Sequence, residues 1–195
     1  MGDSVSYYDK NKEQFIQSTV AVDMKDQYRL FLSHLPRMAS ILDAGCGSGR
    51  DSLAFKQMGY QVEAFDLSQS MVEATRELVS IPVRQMGFES LDYEERFDGI
   101  WASASLLHVR REDMKDVFGR LSKALKDEGI LYCSFKEREE DFTKDGRTFT
   151  CYTPDSFQAF ISEQGQFKLL EILQTTDQRP DRAGEKWINA VLRKW

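Results

Sequence analysis

The sequence is poor in cysteine, histidine and proline, with 3, 2 and 4 of these residues among 195. Its cysteines, Cys46, Cys133 and Cys151, are odd in number and lack the paired spacing of a zinc site. A disulfide framework needs cysteine pairs, and a structural metal site needs clustered ligands. We therefore expect three reduced thiols, no disulfide and no bound metal.

Long apolar runs and an excess of positive charge are also missing. No eighteen apolar residues run together, and residues 1–11 contain no basic segment followed by an apolar run, so neither a membrane span nor export is predicted. We expect a cytoplasmic protein. The formal net charge of −6 supplies no overall basic field, which disfavours a nucleic-acid partner, although a local basic patch is compatible with it.

What is present is an alternation of short apolar runs with amphipathic stretches from residue 40 onward, typical of βαβ units. The apolar runs predict about seven strands, at residues 41–42, 61–65, 81–85, 97–101, 130–135, 167–173 and 187–192. With 41% hydrophobic and 30% charged residues, the whole chain, residues 1–195, is expected to form one domain.

Three helices are predicted between these strands. In residues 70–79 one face carries Met71, Ala74, Thr75 and Leu78, and the same spacing recurs in residues 114–125. A third helix should begin after the cap Thr153 and end near residue 164. We expect a helical cap over residues 1–38, a core over 39–135, a charged lid loop over 136–153, and a helix with a β-hairpin over 154–195.

The chemistry-bearing segment is a glycine loop between the first strand and the next helix. Gly45, Gly47 and Gly49 alternate with other residues, and glycine lets a ligand approach the backbone without meeting a Cβ atom. Asp66 ends the following strand, 21 residues after Gly45, where nucleotide-binding folds place the acid that takes ribose hydroxyls. Arg50 occupies the position of the last glycine of the dinucleotide fingerprint, so NAD is the poorer match.

Residues 43–49 and 64–68 resemble the first two motifs of class I S-adenosylmethionine-dependent methyltransferases. The resemblance continues through residues 97–101, 106–109 and 121–131, and covers most of residues 40–135. Residues 49–53 and the small size are similar to the tellurite-resistance-type and ubiquinone-biosynthesis-type branch. This resemblance implies a Rossmann-like, doubly wound α/β sheet of about seven mostly parallel strands, with an antiparallel last strand and helices on both faces.

The resemblance also implies S-adenosylmethionine as cofactor and assigns residues to it. The three glycines would line its methionine and ribose portions, Asp66 would take the ribose hydroxyls, and Asp43 would anchor the loop and a water near the amino group. Met86 stands where the family commonly has an aspartate, so adenine recognition should shift to backbone near Gly87 and Phe88; alternatively, Met86 only fills a gap in the core. The remaining cofactor-binding candidates are Cys46, Arg50, Leu67, Met71, Ala102 and Ser103.

His108 and Tyr8 are the candidate catalytic residues. His108 follows the fourth strand at the ligand-binding edge of the sheet, where a histidine can act as a general base, although it can also be a plain turn residue. Tyr8, beside Tyr7, could close over the sulfonium with its π face, or simply dock a helix.

Two loops that should overhang the cofactor, residues 136–153 and 176–186, are rich in cations. Arg147 lies near Phe149 and Tyr152 and could form a fork for an anion, and Arg179 lies in the second loop. Arg147, Tyr152 and Arg179 are therefore the substrate-binding candidates, and they favour a small polar or anionic acceptor. The same loops hold many acids, so solvated, self-neutralising charge is the alternative.

The predicted reaction is in-line transfer of a methyl group from S-adenosylmethionine, which requires alignment of donor and acceptor rather than a nucleophilic side chain. A non-catalytic S-adenosylmethionine-binding module and, less well matched, an NAD-dependent oxidoreductase are the alternatives. Fold-level reasoning identifies neither the accepting atom nor the oligomeric state.

Overall fold

The computed structural model describes residues 17–19, 22–177, 179, 182 and 184–195. Seven strands form one sheet in the order β3-β2-β1-β4-β5-β9-β8. The strands are β1 (Ser40–Ala44), β2 (Gln61–Asp66), β3 (Val83–Gln85), β4 (Phe97–Ala102), β5 (Leu125–Lys136), β8 (Phe167–Thr176) and β9 (Lys186–Lys194). Two further strands, β6 (Phe142–Lys144) and β7 (Arg147–Phe149), pair as a separate hairpin.

The strand pairing confirms the predicted fold class. Strands β1 to β5 are parallel to one another, whereas β9 runs antiparallel to both β5 and β8. The order reverses between β1 and β4, which is where open α/β sheets leave a crevice for ligands beyond the carboxyl ends of the strands.

Among the residues that the structure describes, the α-helices with complete bounds are α1 (Lys25–Leu32), α2 (Arg50–Gln57), α3 (Gln69–Val79), α4 (Met114–Ala124) and α5 (Pro154–Gln164). Alternate residues of each strand face opposite sides, so Ile41 packs with α1 and α2 while Leu42 packs in the cluster that includes α4 and α5. On the first side Trp101 stacks on Tyr132, with ring centroids 3.8 Å apart. No helix among the described residues is long and apolar enough to cross a membrane.

Local sequence signals account for the helix ends. Thr153 caps α5 in a reciprocal arrangement with Ser156, Pro154 takes the first helical position, and Gly165 ends the helix in the left-handed conformation, as predicted. The predicted face of α3 was partly wrong: Leu78 is 49% exposed and Val72 is buried in its place.

Residues 136–153 differ from the predicted lid loop. Lys136 is the last residue of β5, and the β6–β7 hairpin turns at Asp145 and Gly146, which both have positive φ angles. The sequence did not predict this hairpin, because strands of three residues are too short to show an alternation of buried and exposed side chains. The predicted N-terminal helical cap falls partly on residues 1–16, which lie outside the described residues, as do Tyr7 and Tyr8.

Candidate active site

A cavity of about 340 Å³ opens at the carboxyl ends of the parallel strands. We call the part over β1, β2 and β3 the loop half, because the glycine loop forms its wall. The part over β5, β9 and β8, walled by the β6–β7 hairpin, is the hairpin half. The predicted site residues that line the loop half and the turn after β4 are Gly45, Cys46, Gly47, Arg50, Asp66, Leu67, Met71, Gly87, Phe88, Ser103 and His108.

The glycine loop presents bare backbone to the cavity. Gly45 has a φ angle of +80°, and a Cβ atom there would lie 2.5 Å from Cβ of Ser105. The Ser105 hydroxyl is itself fixed, because it donates a hydrogen bond to the Ala44 carbonyl at 2.6 Å. Only glycine fits this turn without displacing its neighbours.

Asp66 is oriented by two backbone amides. Its Oδ2 accepts from the Gly47 N–H at 2.9 Å, and its Oδ1 accepts from the Ser68 N–H at 2.9 Å. An ionised carboxylate accepts hydrogen bonds only, which is the chemistry that a pair of vicinal hydroxyls needs. Asp66 lines the cavity, and its position fits the predicted ribose contact.

Apolar side chains and the backbone of Gly87 complete the loop half. Leu67, Met71, Met86 and Phe88 supply flat or flexible apolar surface, which suits a purine ring. A Cβ atom on Gly87 would lie 2.5 Å from the Glu89 carboxylate, so the backbone at residue 87 is closely approached by an acid that also lines the cavity. Together with Asp66, these apolar and polar groups fit a nucleoside.

Three predicted cofactor-binding residues do not reach the cavity wall in the described chain. Asp43 lies beneath the loop, 2% exposed, and accepts from the Ser52 hydroxyl at 2.6 Å. Burial, with the nearby Asp51 carboxylate, raises the pKa of Asp43. Gly49 turns against Thr75 at the start of α2, and Ala102 is fully buried in β4 one residue before Ser103. These residues support the wall instead of forming it.

Asp51, which was not predicted as a site residue, joins three segments under the loop. Its carboxylate accepts from the Tyr28 hydroxyl at 2.5 Å, from Nε of Arg50 at 2.6 Å and from the Trp101 indole at 2.8 Å. Arg50 also donates to the Thr19 carbonyl at 3.0 Å. The N-terminal segment that lines the cavity is therefore tied to the glycine loop. The adjacent Arg50 and Asp51 were the only sequence signal.

The hairpin half contains both predicted arginines and a lysine that was not predicted. Lys136 and Arg147 are each 6% exposed and line the cavity. Lys136 forms an ion pair with Glu185, and Nη2 of Arg147 lies 3.5 Å from the Asp145 carboxylate. Arg179 also lines the cavity but pairs with Asp177 through two side-chain hydrogen bonds, at 2.9 and 2.6 Å.

Tyr152 is not brought to this wall. It is 2% exposed and packs against Phe135, Phe157 and Phe160, with ring centroids 5.0 to 5.5 Å away. Its place is taken by Phe149, which lines the cavity. Arg147 and Phe149 are the two buried residues of β7. Side chains two positions apart in a strand face the same side, which is why both line the cavity.

His108 lines the cavity at the turn after β4 and packs against Phe149, with ring centroids 4.9 Å apart. Its Nδ1 lies 3.2 Å from the Thr148 carbonyl, and this contact assigns the proton to Nδ1. Burial, aided by the charges of Arg147 and Lys136 and opposed by that hydrogen bond, lowers the pKa of His108 to about 4. The neutral imidazole can accept a hydrogen bond, but it is a weak base near pH 7.

Comparisons with known proteins agree with this arrangement. A family model described as "Methyltransferase domain" matches residues 41–129. The chain is similar to an uncharacterized methyltransferase of Staphylococcus carnosus, with 29% identity over 56% of this chain and 54% of that protein. It is also similar to a malonyl-[acyl-carrier protein] O-methyltransferase of Enterobacter lignolyticus, with 31% identity over 51% of this chain and 41% of that protein. The chain thus spans about half the length, or less, of these relatives.

A solved structure extends the likeness to nearly the whole fold. A 1,6-didemethyltoxoflavin-N1-methyltransferase of Burkholderia thailandensis, with bound 1,6-didemethyltoxoflavin and S-adenosylhomocysteine, superposes with a TM-score of 0.82 at 24% identity, covering 99% of this chain and 86% of that one. The matched region contains the glycine loop, Asp66 and the strand-order reversal that form the cavity. Residues 41–129 are therefore similar to a methyltransferase domain, and the fold is that of a solved methyltransferase with bound S-adenosylhomocysteine.

Proposed function

We propose that the chain is a methyltransferase that moves the methyl group of S-adenosylmethionine to a small polar or anionic acceptor in the cytoplasm. One observation carries this proposal: a single cavity joins a loop half that fits a nucleoside to a hairpin half lined by cations. Donor and acceptor can therefore meet without leaving the protein.

The loop half supplies the residues that would hold the cofactor. Asp66 would take the ribose hydroxyls, Leu67 and Met71 would flank the adenine, and backbone at Gly87 would meet its amino edge. Gly45 and Gly47 leave room for the methionine portion. When bound, S-adenosylmethionine supplies an electrophilic methyl group on a positively charged sulfur.

The chain's own contribution is alignment and exclusion of water. Thr19, Met24 and Gln27 line the cavity from the N-terminal side, and Arg50 holds that segment to the glycine loop. This segment covers the cavity and orients the cofactor. The proposal that Tyr8 closes over the sulfonium stays a prediction, because Tyr8 lies outside the described residues.

Several observations support a small acceptor at the hairpin half. The Burkholderia protein holds a small molecule together with S-adenosylhomocysteine, and the Enterobacter relative is named for O-methylation. Arg147 offers a planar guanidinium at a buried position, a geometry that suits carboxylates and similar anions. Arg179 would contribute its charge from within its pair with Asp177.

Calorimetric titration tests the cofactor. We expect S-adenosylmethionine and S-adenosylhomocysteine to bind and NAD not to bind; the reverse would make an NAD-dependent oxidoreductase the better reading. A screen of candidate acceptors, in which the release of S-adenosylhomocysteine is measured, then tests methyl transfer. A non-catalytic module would bind the cofactor but release no product with any acceptor.

A further inference from the structure

The hairpin half has a charge excess that the net charge of the chain conceals. Among the described residues that line it, four are cations and one is an acid, and they come from β5, β7 and the β8–β9 connection. They are Lys136, Arg147, Arg179, Arg182 and Asp177. Because Asp177 is already bonded to Arg179, this wall presents positive charge to whatever occupies the cavity.

Two of these cations, Lys136 and Arg147, converge on one ring. Nζ of Lys136 is 5.4 Å from the centroid of Phe149, and Cζ of Arg147 is 5.3 Å from the same centroid. The His108 ring also contacts Phe149. The two charges and the imidazole therefore share one corner of the cavity.

The paired acids lie further towards solvent than the cations. The side chains of Lys136 and Arg147 are 8% and 7% exposed, whereas those of Glu185 and Asp145 are 35% and 55% exposed. A buried charge is costly unless it is paired, and screening by water weakens a partner at the surface. An anion inside the cavity would meet both cations where water screens least.

We propose that the atom that accepts the methyl group is an anionic oxygen held between Lys136 and Arg147, and that these two cations, rather than a general base, keep it deprotonated. This inference rests on the proposed function and deepens it by naming the acceptor class: an acidic hydroxyl of the phenol or enol type, or a carboxyl. Lys136 and Arg147 are then binding residues that also activate the nucleophile.

The step balances without a proton acceptor in the chain. A lone pair of the acceptor oxygen forms the new oxygen–carbon bond, and the carbon–sulfur bond breaks with its electron pair moving to sulfur. An oxygen anion becomes a neutral methyl ether or ester, and a sulfonium becomes a neutral thioether. The acceptor's proton has already left to solvent at binding.

The state of His108 agrees with this assignment. With its pKa lowered to about 4, the imidazole is neutral at pH 7 and holds a proton poorly. The charged and titratable groups around this corner are His108, Lys136, Arg147, Glu185 and Asp145, with Asp177, Arg179 and Arg182 beyond them. Burial is the largest cause of the low pKa of His108, and Arg147 and Lys136 lower it further; the charges of these two cations would also lower the pKa of a bound hydroxyl.

The test uses 4-nitrophenol, whose anion absorbs visible light and whose ionisation can be read without any turnover. The full chain is titrated with 4-nitrophenol across pH, with and without S-adenosylhomocysteine. An opposite charge within a few ångströms typically lowers an acid's pKa by about one unit or more. We expect binding to favour 4-nitrophenolate over 4-nitrophenol by about tenfold or more.

Variants assign that preference to residues. Lys136→Met and Arg147→Met should each move the pKa of bound 4-nitrophenol back towards its value in solution, whereas His108→Gln should leave it lowered. Lys144→Met removes an exposed charge on the same hairpin, opposite Arg147 in the β6–β7 pairing, and should change nothing. Unchanged S-adenosylhomocysteine affinity in each variant checks that the fold persists.

The proposal is wrong if 4-nitrophenolate does not bind, if the neutral form binds better, or if only His108→Gln abolishes ionisation. These results are separate from failure of the proposed function, which would appear as no binding of S-adenosylhomocysteine. Ionisation measured without that ligand keeps the two apart.

Discussion

The two halves of the cavity are lined by different kinds of chemical group. The loop half combines backbone at glycines with apolar side chains and the carboxylates of Asp66 and Glu89, all from segments that follow β1, β2 and β3. The hairpin half consists of long cationic and aromatic side chains from segments separated in the chain. We therefore expect the loop half to recognise its ligand mainly through backbone groups and shape, and the hairpin half to recognise its ligand mainly through charge.

We expect the largest effect on ligand affinity from a substitution in the loop half. Asp66→Ala removes charge-assisted hydrogen bonds worth about 1.5 to 3 kcal/mol each and also frees the amides of Gly47 and Ser68. Affinity for S-adenosylhomocysteine should fall by roughly a hundredfold, as measured by calorimetry. Glu63→Ala on the same strand, which removes a surface pair with Arg96, should leave affinity unchanged. Undiminished binding in Asp66→Ala would refute the ribose assignment.

A smaller effect should be confined to the hairpin half. Arg147→Lys keeps the charge but replaces a planar fork by a point charge, so the Michaelis constant of an anionic acceptor should rise by about tenfold. Affinity for S-adenosylhomocysteine should not change, which separates the two halves. Arg138→Lys, on an exposed arginine before β6, is the matched control. Equally fast methylation of a neutral apolar acceptor by Arg147→Ala would remove Arg147 from the acceptor site.

The third prediction concerns Asp43, beneath the loop half, and the pH dependence of the free energy of unfolding. Because burial raises the pKa of Asp43 above its ordinary value near 3.9, its contribution to stability is complete below that value and is lost as pH rises. Asp43→Asn can still accept from Ser52 but does not titrate. Between pH 6 and 8, the unliganded wild type should lose about 1 to 2 kcal/mol more stability than the variant, measured by thermal unfolding.

Asp98→Asn provides the control for that measurement. The pKa of Asp98 is lowered by hydrogen bonds from Lys126 and Ser40, against its partial burial, so its contribution is lost only as pH falls towards the acid range. Its variant should match the wild-type slope between pH 6 and 8. If Asp43→Asn also matches that slope, Asp43 is ionised beneath the loop.

The loop half could be predicted because its signals are local. The spacing of Gly45, Gly47 and Asp66 encodes a strand, a turn and the end of the next strand, and adjacent parallel strands bring these points together. The helix cap at Thr153 was predicted from an equally local signal, whereas the doubly wound sheet followed from the family resemblance. Met86 and Gly87 were singled out by the family resemblance, because an aspartate commonly stands at position 86.

The other residues of the candidate site owe their positions to contacts between distant parts of the chain, which no local sequence pattern encodes. Lys136 was read as the start of a loop because β5 continues one residue beyond its apolar run, where the ion pair with Glu185 and three aromatic rings accommodate a buried charge. Tyr152 and Phe149 differ by three positions, and only the β6–β7 hairpin decides which faces the cavity. Asp51 gains its role from Tyr28 and Trp101, which are distant in sequence.

The insertion of β9 between β5 and β8 has an evolutionary consequence. The end of β8 and the start of β9 meet at the cavity edge, so the segment that joins them is a hairpin tip, as is the turn between β6 and β7. Tips of this kind accept substitutions and insertions without shifting strand register. Changes at these two tips would therefore reshape the rim of the hairpin half, while Lys136, Arg147 and the glycine loop pass on unchanged.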